Sequence, residues 1–274
     1  MSLKSVFDDL VSHADDEGLS YGIESIDEST GGILPGDFII IGGPAHGGKT
    51  QTALSIAMAN EDARVAVFTA DEGPEVVLRN LLRMEYDLSN PAIRRQLSSN
   101  PSRFKQTIKE FEDRFYLAGP RTVKSFQTEV KKATAALDGI DLIIYDYAAK
   151  FEAANGGFVS MDWRMDFFKD FAEEAKIPMI VIHQSNRAGF TSSKPPTLAD
   201  LKEAGEAQAF FVFWARGPHL FEWDAKAKRE VEDLGLKRDY EKNPWRELWT
   251  LKNKRGTLPP MTDLFFSTGS RLTE

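Results

Sequence analysis

Short, continuous apolar runs recur along the chain: DFIIIGG (37–43), RVAVFTA (64–70), RFYLAG (114–119), DLIIYD (141–146), PMIVIHQ (178–184), FFVFWA (210–215), ELWTLKN (247–253) and DLFFS (263–267). Most lack the alternation of a half-exposed strand, so they predict strands covered on both faces. Segments with helical periodicity separate the first five, for example Val123–Leu137 and 161–176. That order predicts an α/β fold, with a mainly parallel central sheet flanked by helices. The last runs have no helices between them and predict antiparallel strands at one edge. A charged, helix-prone stretch at 223–242 breaks into them, so 217–246 reads as a surface insertion. Near the start, Leu3, Val6, Phe7, Leu10 and Val11 fall at i, i+3, i+4, i+7 and i+8, the apolar stripe of a short amphipathic helix. Such a helix needs a surface to dock on, either its own core or another copy. Residues 1–18 therefore read as a linker-like helix and 19–274 as one large domain.

Composition narrows the classes. At 274 residues, 42% hydrophobic and 28% charged, the chain is that of an ordinary globular protein. It has no cysteine, which removes disulfides, thiol chemistry and cysteine-based zinc sites. No apolar run has the length of a membrane span and the N-terminus lacks a signal-peptide pattern, so the expected location is cytoplasmic, with no membrane partner. The net charge of −8 requires any nucleic-acid contact to use a local basic lining.

The densest chemical signal is GGPAHGGKTQTALSIA (42–57). Gly43, Pro44, Ala45, His46, Gly47, Gly48, Lys49 and Thr50 satisfy G-x-x-x-x-G-K-[ST], directly after a buried strand and at the start of a helix that continues through Gln51. Glycines let the backbone curl so that amides converge on phosphate oxygens, aided by the positive end of the helix. Lys49 then reaches the outer phosphates of ATP, and the Thr50 hydroxyl is a ligand for Mg²⁺. The strand DLIIYD ends in Asp146, a second candidate for holding Mg²⁺. A carboxylate to prepare water comes from FTADEGPE, where Asp71 and Glu72 are both candidates. Gly73-Pro74 begins the next helix.

With these residues in view, YGIESIDESTGGILPGDFIIIGGPAHGGKTQTALSIA resembles the opening of the ATPase domain of DnaB-type replicative helicases, within the RecA-like P-loop group that includes RadA and KaiC proteins. FTADEGPEVVLRNLL, DLIIYDY, VIHQSNRAG and PTLADLKEAGEAQAFFVFWAR are similar to later segments of that domain, so the resemblance runs from about 21 to 267. It implies a RecA-like fold and DNA-stimulated ATP hydrolysis at a site shared between subunits. Aligning on Pro74 selects Glu72 as the catalytic glutamate. Gln184 becomes the sensor of the γ-phosphate, and the following loop (185–199), with Arg187 and Lys194, becomes a contact for single-stranded DNA. Taken on its residues alone that loop reads as plain surface. A second loop (148–160) carries Lys150 as another candidate DNA contact.

The family also places a Lys-x-Arg pair on a late strand that reaches a neighbour's site. Here LKNKRG offers Lys252 for the first position and either Lys254 or Arg255 for the second. The implied partners are further copies of the chain in a hexameric ring, and a primase or loader. The N-terminal collar domain of such helicases has no counterpart in this sequence, a compact form that suits a phage-encoded protein. A RecA-like recombinase or mediator and a KaiC-like regulatory ATPase are the alternative functions.

Overall fold

A computed structural model describes residues 2–12, 18–153, 159–184, 196–201, 209–216, 245–256, 261–267 and 269–273. Among them the strands β1 (Phe38–Gly43), β2 (Val65–Thr69), β3 (Phe115–Ala118), β4 (Leu142–Asp146), β5 (Met179–Gln184), β6 (Phe211–Arg216), β7 (Trp245–Asn253), β8 (Thr262–Phe266) and β9 (Leu272–Thr273) form one sheet in the order β3-β2-β4-β5-β1-β6-β7-β8-β9. Pairings from β3 through to β6 are parallel, and those from β6 to β9 antiparallel. The mainly parallel sheet with an antiparallel edge is thus present. β9 adds a short strand beyond the sequence-based assignment.

The α-helices among the described residues are α1 (Leu3–Ser12), α2 (Glu24–Thr30), α3 (Lys49–Ala59), α4 (Pro74–Glu85), α5 (Asn90–Ser99), α6 (Lys105–Glu112), α7 (Val123–Leu137) and α8 (Met161–Ala175). Strand alternation divides the apolar side chains between two cores. Ile39, Ile41, Val67, Ile144 and Ile182 pack on one face with Leu54, Met58 and Leu81 of α3 and α4. Phe38, Ile40, Phe68, Tyr145 and Val181 pack on the other with Phe126 of α7 and Phe168 of α8. Both faces are covered, which is why the strand runs are continuous rather than alternating. Phe126 anchors the second layer, meeting Phe68, Phe168 and Phe171 edge-on at 5.4, 5.8 and 5.0 Å between ring centres.

Local signals set the ends. Gly73 caps α4, and Pro74 occupies its first turn, where no amide partner is required. Thr122 and Ser125 form a reciprocal cap on α7. On α1, Leu3, Phe7 and Val11 are 89%, 64% and 58% exposed, one face at i, i+4, i+8; the side chains of Val6 and Leu10 lie outside the described ones. Of the expected insertion, 217–244 lies outside the described residues, while Trp245 and Arg246 already belong to β7. No helix among the described residues is long and apolar enough to cross a membrane.

Candidate nucleotide-binding site

β1, β2, β4 and β5 all end on the same edge of the sheet, where β1 stands between β5 and β6. In register, Gly43 lies beside Gln184 and Thr69 beside Asp146, so four strand ends deliver the candidate residues to one place. The cavity there has a volume of about 540 Å³, and its walls include Lys49, Thr50, Gln51, Asp71, Glu72, Asp146 and Gln184. Ala45, His46 and Gly48 also line it, whereas Gly43, Pro44 and Gly47 form the loop beneath.

The loop's glycines answer to geometry. Gly43 has φ 142°, and a Cβ there would lie 2.2 Å from the Ala215 carbonyl oxygen of β6. Gly48 caps α3 at φ 98°, pressed against the Phe266 ring, so neither position accepts a side chain without strain. His46 also adopts a left-handed conformation, φ 62°, which bends the loop around the start of α3. The first amides of a helix lack partners within it, and Gly48, Lys49, Thr50 and Gln51 at that end of α3 line the cavity, the arrangement that binds phosphate.

Lys49 donates a 2.6 Å hydrogen bond to the Pro44 carbonyl and is buried. Burial pushes its ammonium down to about 8, while the Asp146 charge pushes it back up. The Thr50 hydroxyl donates to Asp146 Oδ2 at 2.6 Å. Burial raises the Asp146 carboxyl, opposed by the Thr50 hydrogen bond and Lys49; Glu72 and Asp71 raise it further. Asp71, Glu72 and Asp146 thus face one cavity with the Lys49 ammonium and the Arg246 guanidinium, a mixture of charges that suits a cation-bound polyphosphate.

Asp71 pairs with Lys150 at 3.2 Å, and among the described residues no cation pairs with the Glu72 carboxylate. Lys150 lies on the turn Ala148–Lys150 after β4, at the rim of the site. The three late-strand candidates do not line the cavity. Lys252 pairs in register with Val212 beside a β-bulge, Lys254 rests its ammonium 4.8 Å from the Phe210 ring centre, and Arg255 is ion-paired with Asp37 and donates to the Gly32 carbonyl at 3.1 Å. Arg187 and Lys194 lie outside the described residues.

Sequence reasoning missed one wall. Arg246 stacks on Phe266 at 5.2 Å to the ring centre, and both line the cavity with Asn80 and Ser270. Planar and hydrogen-bonding groups beyond the phosphate loop are what a base and ribose require. No local pattern flags them, because charge patterning puts Arg246 in an insertion and hydrophobicity puts Phe266 in a strand core.

The profile of the DnaB-like helicase C terminal domain family matches residues 18–268. The chain belongs to this family. Among curated relatives, the replicative DNA helicase DnaB of Haemophilus influenzae is 24% identical over 217 residues, 73% of this chain and 46% of that protein. The replicative DNA helicase DnaC of Bacillus subtilis is 23% identical over 78% of this chain and 50% of its own length. The chain thus spans about half the length of these relatives. Among solved structures, a DnaB-like replicative helicase, described with its interactions with primase, superposes with a TM-score of 0.72 at 19% identity, over 97% of this chain and 64% of that one. A structure comprising an ATPase domain alone gives 0.74 at 19% identity, covering 99% of this chain and 96% of that one. The RadB recombinase gives 0.53 at 19% identity, over 92% of this chain and 97% of that one, a likeness of fold. Within this DnaB-like domain, the strand-end carboxylate, the P-loop and the polar strand end of β5 all meet at one cavity.

Proposed function

We propose that this chain is the ATP-hydrolysing motor domain of a DnaB-type helicase, moving along single-stranded DNA. The observation that carries the reading is the 2.6 Å contact of Thr50 with Asp146 in a cavity shared with Lys49, Glu72 and Gln184. The amides of the loop and Lys49 hold the triphosphate. Thr50 and Asp146 offer hard oxygen donors, and among the described residues there is no complete protein cage of three or more His, Asp or Glu. That donor set fits Mg²⁺, which keeps waters and phosphate oxygens as its other ligands. When bound, the ion neutralises charge on the phosphate oxygens. Glu72 orients the attacking water, and the Gln184 amide contacts the γ-phosphate and passes its loss to the segment that follows, 185–199. Arg187 and Lys194 of that segment are the proposed DNA contacts.

The site is completed by a basic residue from the next copy in a ring. Lys252, Lys254 and Arg255 are the candidates, and Arg255 is the one whose ion pair with the buried Asp37 would have to open for it to reach across. A groove lined by Leu78, Leu82, Leu97, Phe104 and Ile108 offers an apolar seat for the exposed stripe of α1 from a neighbouring copy. The test is ATP turnover with Mg²⁺, with and without single-stranded DNA, together with native mass spectrometry. Stimulation by DNA and a closed oligomer are expected. Turnover indifferent to DNA would favour a regulatory ATPase, and filaments on DNA a recombinase.

A further inference from the structure

Two carboxylates stand side by side after β2, and a catalyst that prepares one water needs one of them. The structure separates them by their partners. Asp71 pairs with Lys150 at 3.2 Å, and the two side chains are 49% and 44% exposed. Their loops follow adjacent strands, and a backbone bond from the Ala70 amide to the Asp146 carbonyl, 2.7 Å, already ties the two strand ends together. Lys150 also sits 6.0 Å from the ring centre of Tyr147, which lines the same cavity. Its ammonium is thus paired with the acid that the chemistry does not use.

We infer that Lys150 is a positioning residue: it occupies Asp71, and so leaves Glu72 as the one carboxylate addressed to the attacking water and keeps an uncompensated charge away from the incoming triphosphate. The inference rests on the nucleotide-site reading above. It gives Lys150 a different task from a DNA contact. Without this cation, Asp71 adds its full charge to a cavity that already holds Glu72 and Asp146, and a polyanion must enter against it. With a half-exposed pair the effect is modest, about two- to fivefold in affinity.

The experiment is nucleotide binding and turnover in the absence of DNA, using ATP with Mg²⁺ and the full chain, with single-stranded DNA binding of each variant measured separately. Lys150→Ala is expected to raise KM for ATP about two- to fivefold, with a smaller change in kcat, and more so at low salt. Asp71→Asn in the Lys150→Ala background restores KM to within about twofold of the parent, and Lys150→Arg stays near the parent. Thermal unfolding of each variant separates this from misfolding. A Lys150→Ala variant with unchanged KM, or one whose defect Asp71→Asn does not repair, overturns the inference. A loss confined to single-stranded DNA binding does so too, in favour of a DNA contact. If the parent chain binds no nucleotide, the fault lies with the site reading itself.

Discussion

Raising the pH from 7 to 9 should loosen nucleotide binding about tenfold, and a single lysine is the reason. Lys49 is buried against the Pro44 carbonyl, and its ammonium is pushed down to about 8 in the free chain. A triphosphate binds the charged form and holds it charged, so apparent affinity falls as the free chain loses that proton. With a value of about 8, the ammonium is roughly nine-tenths formed at pH 7 and one-tenth formed at pH 9, a ratio near ten or about 1.4 kcal/mol. In the free chain the same group binds fewer protons folded than unfolded between about pH 8 and its ordinary 10.5, so its contribution to stability rises with pH across that window. The assay is calorimetric titration of nucleotide with Mg²⁺ at several pH values, in buffers of differing ionisation enthalpy. About half a proton is taken up per nucleotide near pH 8. Lys49→Arg keeps its charge throughout and should show a flat profile, whatever its absolute affinity. A flat parent profile, or an arginine variant that falls in parallel, would refute the reasoning.

Three further outcomes are expected. Glu72→Gln should cut kcat about 10²- to 10⁴-fold while nucleotide affinity, measured by titration, changes little. Arg255→Met should cost about 3 kcal/mol of stability, read from the urea midpoint, because the Asp37 carboxylate then remains buried with only the Leu34 amide as a described partner; a loss of turnover without a loss of stability would instead make Arg255 the residue that reaches a neighbour. Phe7→Asp should disperse the oligomer in native mass spectrometry while leaving the monomer folded, since Phe7 is exposed on α1.

What the sequence disclosed was local. The P-loop is a strand, a turn and a helix in unbroken succession, so Gly43 to Thr50 could be read from spacing, and Asp146 from the end of an apolar run. The antiparallel edge followed from the absence of intervening helices. The rest depended on distant meetings. Asp71 and Glu72 are neighbours with the same local chemistry; the family resemblance selects Glu72, and the difference in their partners rests on Lys150, which lies on another loop. The sequence left the second position of the basic pair open between Lys254 and Arg255, and the partner of Arg255, Asp37, lies 218 residues earlier in the chain. Arg246 and Phe266 close one wall only because β7 and β8 bring them over Gly48. The two-residue strand β9 is too short to carry a pattern.

The most direct test is release of phosphate from ATP by the parent chain and by Lys49→Ala, each with and without Mg²⁺. The account predicts turnover that requires the ion in the parent and is lost in the variant at unchanged folding. Undiminished turnover by Lys49→Ala would contradict it.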